Sequence, residues 1–325
     1  MKVPQTPLVF GPVYKDYIWG GARIPAAYGR IGAPPICAES WEISAHPDGE
    51  SVVAAGPFAR SKLSELTARF GAALIGTRAT DPHRFPLLFK LIDARDRLSV
   101  QVHPNNANAG LTRGEPKTEM WFVLDRAPGA SLYAGLADGV TRDTLRAALA
   151  SGTAESQLVR LAVEPGQALF IPGGLVHAIG AGCLIYEVQQ NSNTTYRLFD
   201  WNRSGADGKP RALHIEESFK SIDWSLRPPA MKTPSPSASE DRNAWFDVVS
   251  CDYFALRKLS LKETLTQSMD GTSFHALFVE QGRLSVAAGG ETVALNAGAS
   301  CLIPAAAPHY SLIPDAEVSV LVTTL

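Results

Sequence analysis

The stretch 165-PGQALFIPGGLVH-177 decides the fold. Its spacing is G-x5-P-x-G-x2-H: a glycine at 166 allows a turn before a short strand, and a second turn at 174 directs His177 toward one face. The stretch 298-GASCLIPAAAPH-309 repeats this spacing almost position for position, and its first glycine, its first proline and its histidine each follow their counterparts by 132 residues. This recurrence indicates two copies of one β unit.

A second pair of matching strands shows where the copies differ in length. Residues 121–123 (WFV) align with residues 277–279 (LFV) at an offset of 156, so the first copy carries 24 additional residues. Thr141 is a suitable N-cap for a helix that fills this gap, at about residues 140–156. The sequence therefore predicts a mainly β protein of two β-barrel (jelly-roll) units, with a small helical insertion in the first.

A stretch rich in proline and serine separates the two copies. Residues 228–240, PPAMKTPSPSASE, have no hydrophobic periodicity, which is typical of a linker. We therefore predict a catalytic domain at residues 1–228, a linker at 229–240 and a smaller C-terminal domain at 241–325.

The charge balance excludes several classes of partner. Lys+Arg 30 against Asp+Glu 32 gives a formal net charge of -2, which argues against nucleic acid or an anionic membrane as the main partner. No apolar run approaches the length of a membrane span, and the first residues lack the pattern of a signal peptide. Because no glycine-rich phosphate loop is present, ATP and NAD are not implied. We expect a cytoplasmic protein that acts on a small molecule.

Four side chains form a candidate metal site. Gln101 and His103 alternate along one predicted strand and share a face, while Glu119 begins another strand and His177 ends the repeated motif. A single histidine in a β protein is more often a packed or surface residue than a ligand, but the joint placement of two in one barrel repeat favours ligation. Two imidazoles, a carboxylate and an amide suit zinc, and Mn, Fe, Co or Ni are compatible with the same ligand types.

Five stretches of the sequence resemble a known family. They are WGG at 19–21, ESWEISAHP at 39–47, FKLIDARDRLSVQVHP at 89–104, KTEMWFVL at 117–124 and GLVHAIGAGCLIYEVQQNSNTTYRLFDWNR at 174–203. Through them the N-terminal two thirds of the chain resembles the short bacterial form of type I mannose-6-phosphate isomerases (phosphomannose isomerases) of the cupin superfamily, and the repeated motif resembles the second cupin motif. The resemblance implies that Gln101, His103, Glu119 and His177 bind one Zn²⁺ per chain and that Arg197 is an active-site arginine.

The implied reaction moves a proton between C1 and C2 of an aldose or ketose phosphate through an enediol. Arg197 stays charged at any working pH and offers a planar fork to an oxyanion, so we assign it to stabilising the enediolate. Lys117 shares the face of Glu119 and would bind substrate oxygens or transfer protons. The sequence does not identify the general base, for which Glu187 is a further candidate.

The substrate also carries a dianionic phosphate. Lys90 and Ser99 lie on the segment 85–102 that leads into Gln101, and each matches a position that the family places near substrate. We predict charge-assisted contacts from both side chains. Ser99 has the parity of Gln101, which supports an inward direction; Lys90 has the opposite parity and points inward only if a bulge intervenes.

The leading hypothesis is a zinc-dependent isomerase that interconverts mannose 6-phosphate and fructose 6-phosphate. One alternative is a metal-dependent cupin oxygenase that uses His103, Glu119 and His177 as a facial triad. A second is a catalytically silent regulator that binds sugar phosphates. In the second copy His275 and His309 take the places of Glu119 and His177, but nothing resembles the Gln101 to His103 pair. We therefore expect a C-terminal unit without a metal site.

Overall fold

The computed structural model describes residues 3–204, 208–240 and 242–325. Its strands in the first part of the chain are β1 Phe10–Gly11, β2 Val13–Lys15, β3 Glu39–Ser44, β4 Val52–Val53, β5 Leu87–Ala94, β6 Val100–Val102, β7 Glu119–Arg126, β8 Ser131–Leu136, β9 Leu158–Ala162, β10 Ala168–Ile171, β11 His177–Ile179, β12 Cys183–Gln190 and β13 Tyr196–Phe199. The later strands are β14 Ser235–Glu240, β15 Asn243–Ser250, β16 Ala255–Leu261, β17 Leu265–Ser268, β18 His275–Gln281, β19 Arg283–Ala288, β20 Glu291–Asn296, β21 Ser300–Ile303, β22 His309–Pro314 and β23 Val318–Thr324.

Helices are few and short. They are α1 Arg23–Tyr28, α2 Leu63–Phe70, α3 Ala72–Ile75, α4 Ala109–Thr112, α5 Arg142–Ala150 and α6 Ile215–Ser221, with a 3-10 turn at Ala154–Gln157. Helix α5 lies in the predicted insertion, and the Thr141 hydroxyl accepts a hydrogen bond from the Thr144 amide as its N-cap. Among the residues described, no helix is long and apolar enough to cross a membrane. The prediction of a mainly β protein is confirmed.

The strands form four large antiparallel sheets. Strands from the first part of the chain make a six-stranded sheet, β10-β7-β12-β5-β3-β2, and a five-stranded sheet, β13-β6-β11-β8-β9. Strands from residue 235 onward make a second six-stranded sheet, β14-β15-β16-β23-β18-β21, and a four-stranded sheet, β17-β22-β19-β20. Within each part, the larger and smaller sheets enclose their own apolar core.

The strand register repeats between the two parts of the chain. In the first part Ile171 pairs with Glu119, and in the second Ile303 pairs with His275, at the offsets that the sequence predicts. The turn glycines also match, since Gly166 has a φ of 85° and Gly298 a φ of 83°. Only glycine adopts such angles without steric cost, which explains why the motif begins with it.

Part of the predicted linker is a strand, which corrects the interpretation of residues 229–240. Ser235–Glu240 pairs with Asn243–Ser250, and Lys232 exchanges two backbone hydrogen bonds of 2.8 Å with Ala168. Proline is tolerated here because β14 lies at the edge of its sheet. This segment is therefore packed against both parts of the chain.

Strand β12 joins the two parts through its alternating faces. Leu184, Tyr186 and Val188 belong to a large core that also contains residues of the later strands, while Ile185 faces the interior of the first barrel. The Tyr186 ring stacks on Phe278 of β18, with centroids 4.4 Å apart and an interplanar angle of 18°. The two six-stranded sheets therefore pack face to face across one continuous apolar layer.

Truncating the ring at this boundary is expected to destabilise the whole chain. Phe278 is fully buried, so we expect Phe278→Ala to lower the free energy of unfolding by about 3–5 kcal/mol. Because the layer is shared, chemical denaturation should still show one transition rather than two. Leu111→Ala, at a side chain that is 66% exposed, is the control and should change stability by less than about 0.5 kcal/mol. Early loss of the later strands alone would contradict a shared layer.

Candidate metal centre and active site

Adjacent strands of the five-stranded sheet bring two of the candidate ligands together. His177 of β11 pairs directly with Gln101 of β6, so their side chains leave the same face of the sheet. His103 follows β6, and Glu119 begins β7 in the opposite sheet. His103, Glu119 and His177 are all at most 1% exposed. The structure therefore brings together, inside the first barrel, the four residues that the sequence singled out.

The donor atoms converge at distances that suit a metal ion. Nε2 of His103 is 3.2 Å from Nε2 of His177, and the Glu119 oxygens are 3.5 Å and 3.4 Å from these two nitrogens. The amide nitrogen of Gln101 is 3.4 Å from Nε2 of His177. Two ligands that are each about 2.1 Å from a tetrahedral ion lie about 3.4 Å apart. His103, Glu119 and His177 therefore fit a divalent cation, and Gln101 would join them through its oxygen after its amide turns over.

One ring nitrogen of His177 forms a hydrogen bond outside the donor cluster, and this bond orients the other ring nitrogen. Nδ1 of His177 lies 2.8 Å from the Leu175 carbonyl and donates to it, so Nε2 is left as the acceptor that faces the other ligands. The bend that aims the ring is made at Gly174, whose φ of 97° disfavours a side chain. Gly174 of the motif therefore sets the direction of the His177 side chain.

The protonation states favour ligation. Burial, and after it the positive charge of Lys117, lowers the pKa of His103 to about 3, and burial also lowers the pKa of His177. Burial alone would raise the pKa of Glu119, but the charge of Lys117 and the neighbouring imidazoles hold it well below its usual value. Neutral imidazoles beside an ionised carboxylate are the forms that bind a cation.

Lys117 lies beside this cluster. Its Nζ is 2.8 Å from the Glu119 carboxylate and 3.2 Å from Nε2 of His103, and only 4% of the residue is exposed. This position agrees with the prediction that the Lys117 side chain lies on the same inward face as Glu119. An ammonium group is therefore available next to any substrate oxygen at the cluster.

A pocket of about 200 Å³ opens beside the cluster. Its walls come from both sheets of the first barrel and from the segment that follows β13. The lining residues are Tyr17, Trp19, Glu39, Lys90, Ile92, Leu98, Ser99, Gln101, Lys117, Ile179, Glu187, Asn193, Thr195, Arg197 and Arg211. All five residues that the sequence assigned to catalysis or substrate binding, Arg197, Lys117, Ser99, Lys90 and Glu187, line this pocket.

Two carboxylates hold Lys90 on one wall of the pocket. Its Nζ is 3.2 Å from Glu187 and 3.6 Å from Glu39. Burial would lower the pKa of Lys90, but the two carboxylates outweigh it and raise the pKa above its ordinary value. Trp121 and Trp41 donate their indole N–H groups to Glu187 and Glu39, at 2.9 Å and 2.6 Å. The charge of Lys90 is therefore balanced within the wall.

The Lys90 side chain points into the pocket, although its odd separation from Ser99 and Gln101 predicts the opposite direction for a single regular strand. Residues 85–102 form two strands rather than one, since β5 ends at Ala94 and β6 begins at Val100. A turn of charged residues, Arg95 to Arg97, separates them. Counting from Lys90 to Ser99 along one strand therefore has no meaning, and no bulge is needed for both side chains to face the pocket.

Arg197 occupies another wall, next to the metal cluster. It pairs with Gln101 across β13 and β6, and its Nη1 donates to the Ala212 carbonyl at 2.8 Å. Its Nε has no hydrogen-bond partner within the described residues. Burial, and then the nearby charge of Arg211, lowers its pKa. In the part of the chain that the structure describes, Arg197 forms no ion pair with Asp200 or Glu187, which pair with other cations.

Sequence reasoning missed two charged residues of the pocket and a tryptophan behind one of its walls. Glu39 is the first carboxylate of the quoted stretch ESWEISAHP, and its place there could have drawn attention. Trp121 was treated only as part of a strand, although its indole orients Glu187. Arg211 follows the recognised stretches on an irregular segment without periodicity, so no pattern marked it.

The repeat-equivalent histidines of the later strands are arranged differently. Nδ1 of His275 lies 2.8 Å from the Tyr310 hydroxyl, and burial lowers the pKa of His275 to about 4. His309 is exposed to solvent. Among the described residues, the group of three or more His, Cys, Asp or Glu side chains close enough to hold a metal ion is His103, Glu119 and His177.

The fold and the site together define a cupin-type β-barrel protein with a candidate metal centre. Comparison with known proteins narrows this class. Residues 8–123 match the model of the phosphomannose isomerase type I catalytic domain, and residues 246–322 match that of the mannose-6-phosphate isomerase cupin domain.

Curated relatives and a solved structure agree with these matches. The chain is 39% identical over 257 residues to mannose-6-phosphate isomerase ManA of Bacillus subtilis, which covers 78% of this chain and 79% of the relative. It is 35% identical over 305 residues to the mannose-6-phosphate isomerase of Streptococcus mutans, covering 93% of each chain. The crystal structure of the Bacillus subtilis mannose 6-phosphate isomerase superposes with a TM-score of 0.89 at 29% identity, covering 99% of this chain and 100% of that one. This chain belongs to the type I mannose-6-phosphate isomerase family.

Proposed function

We propose that this protein interconverts mannose 6-phosphate and fructose 6-phosphate, with Zn²⁺ as its cofactor. The observation that supports this most directly is the four-residue donor set beside a pocket lined by Lys117, Glu187 and Arg197. Gln101, His103, Glu119 and His177 would hold one zinc ion, which would supply the Lewis acidity that polarises the substrate carbonyl. Nitrogen and oxygen ligands of this kind favour zinc over softer metals.

We assign proton transfer and charge stabilisation to residues that line the pocket. Glu187 is the proton-transfer group in this proposal: it lines the pocket, and burial followed by the charge of Glu119 raises its pKa above the usual range. Glu187 takes the proton from C2 of the aldose and returns it to C1, while the proton of the C2 hydroxyl passes to the oxygen on C1, so that the enediol becomes the ketose. Arg197 stabilises the negative charge that develops on oxygen, and Lys117 holds a substrate hydroxyl next to Glu119.

We also propose that residues 1–228 form the catalytic unit and that the later strands form a second unit without a metal. The parts of the chain that hold the donor set and the pocket lie in the first unit. Since the proposed substrate is a phosphorylated sugar that does not cross a bilayer unaided, we place the enzyme in the cytoplasm.

The reaction is tested with purified protein depleted of metal and reconstituted with one metal at a time. Zinc should restore formation of fructose 6-phosphate from mannose 6-phosphate in a coupled assay, with about one zinc bound per chain. Oxygen consumption is measured in parallel with iron, because a cupin oxygenase would take up oxygen instead. Absence of isomerisation with every metal and every hexose phosphate tried would refute the proposal and leave the regulator as the better hypothesis.

A further inference from the structure

The charges in the pocket are not evenly distributed. Four cationic side chains line it: Lys90, Lys117, Arg197 and Arg211. Carboxylates inside the barrel hold the two lysines, as described above. The two arginines are held by none of the pocket-lining carboxylates among the described residues, so their positive charge is not balanced by the pocket walls.

Arg211 is fixed in place by a carboxylate outside the pocket. Its Nε and Nη2 donate to the two oxygens of Asp200, at 2.7 Å and 2.5 Å. Asp200 is 6% exposed and is not among the residues that line the pocket. A bidentate pair of this kind locks the guanidinium plane and leaves its remaining N–H donors free to meet an anion.

Arg203 binds the same carboxylate, which makes it a matched comparison for Arg211. Arg203 donates to Asp200 at 2.9 Å and to Asp96 at 3.1 Å, but it does not line the pocket. Arg211 is close enough to Arg197 to be the main charge that depresses the pKa of the latter. Mutual repulsion between two guanidinium groups is relieved when each binds negative charge of its own.

We propose that Arg211 anchors the phosphoryl group of the substrate and thereby sets the specificity for phosphorylated sugars. This rests on the proposed function. Arg197 lies across from the ligand Gln101, and the phosphate stands at the opposite end of a hexose from C1 and C2. A substrate whose reacting carbons face the metal cluster therefore directs its phosphate past Arg197 toward Arg211. Lys90, which the sequence assigned to the phosphate, is already neutralised by two carboxylates.

The test compares Arg211→Gln with Arg203→Gln. Both changes remove an arginine from Asp200, but only the first removes a charge that lines the pocket. For Arg211→Gln we expect KM for mannose 6-phosphate and the inhibition constant of inorganic phosphate to rise together by about 10- to 100-fold, with kcat within about threefold of wild type. For Arg203→Gln both constants should stay within about threefold. Arg211→Lys should recover part of the loss, because the charge returns without the fork.

Inhibition by unphosphorylated mannose serves as an internal control, since its affinity should not respond to Arg211→Gln. Thermal unfolding of each variant shows whether it is folded. Equal increases of KM in the two glutamine variants would indicate a structural role through Asp200 and overturn the proposal, as would an unchanged phosphate inhibition constant in Arg211→Gln. If the wild-type protein did not isomerise hexose phosphates, calorimetric titration of wild type and Arg211→Gln with inorganic phosphate would still decide the matter. The failure of the reaction and the failure of the anchor are thus separate results.

Discussion

A His177→Ala variant is expected to lose both bound metal and isomerase activity. His177 is fully buried, its Nδ1 is fixed by Leu175, and its Nε2 faces the other donors, so no other side chain takes its place. Since a Lewis acid contributes several kcal/mol to such a reaction, kcat/KM should fall by at least about 1,000-fold. Metal content by mass spectrometry and the coupled assay measure the two losses on the same sample.

His309→Ala is the matched control for this experiment. It removes the histidine at the repeat-equivalent position, which is exposed and outside the donor set. Metal content and activity should equal those of wild type. A variant of His309 that loses metal would place a ligand in the later strands and contradict the assignment, as would a His177→Ala protein that keeps its full metal content.

Glu187→Gln is expected to produce a second large loss, of a different kind. The amide has the shape of the carboxylate and can still accept the indole N–H of Trp121, but it cannot take up a proton. If Glu187 moves the proton between C2 and C1, kcat should fall by about 100- to 10,000-fold while KM changes little. Exchange of the C2 proton of mannose 6-phosphate with deuterated water, followed by NMR, should fall in parallel because it reports the same step.

The same substitution at Glu42 controls for the loss of a buried carboxylate. Glu42 is 4% exposed and forms an ion pair of 2.8 Å with Arg30, but it does not line the pocket. Glu42→Gln should lower stability and leave kcat within about threefold. If the Glu187→Gln enzyme kept its wild-type kcat, the base would have to be another group, and Lys117 would be tested next.

The parts of the molecule that could be predicted from sequence are those where local chemistry decides the structure. The spacing of glycine, proline and histidine in the repeated motif predicts a turn, a strand and an inward histidine, because each residue imposes its own backbone geometry. The alternation at residues 184–189 predicts β12, whose apolar face carries Leu184, Tyr186 and Val188 and whose other face carries Glu187 next to Ile185 in the first barrel. The full ligand set depended on the family resemblance, since Gln101 and Glu119 have no local signature.

The remaining features depend on partners that are distant along the chain. Ser235–Glu240 has the composition of a linker, and only its pairing with Asn243–Ser250 makes it a strand. The charged residues Arg95 to Arg97 mark a break after Ala94, but only the pairing of β5 and β6 in different sheets shows that two separate strands result. Arg211 owes its position to Asp200, with which it shares no periodic element. The local secondary-structure propensity of a segment does not depend on such distant contacts, so it does not predict them.

The two faces of β12 have a consequence for protein engineering. The same eight residues present Glu187 to the substrate pocket and Tyr186 to Phe278, one residue apart. Packing of the later strands against β12 therefore helps to fix the position of the Glu187 carboxylate, although these strands supply none of the proposed ligands. A chimera that joins the first half of this chain to the terminal half of a relative would have to reproduce the complementary surface at Phe278, or Glu187, the proposed base, would shift with the strand that carries it.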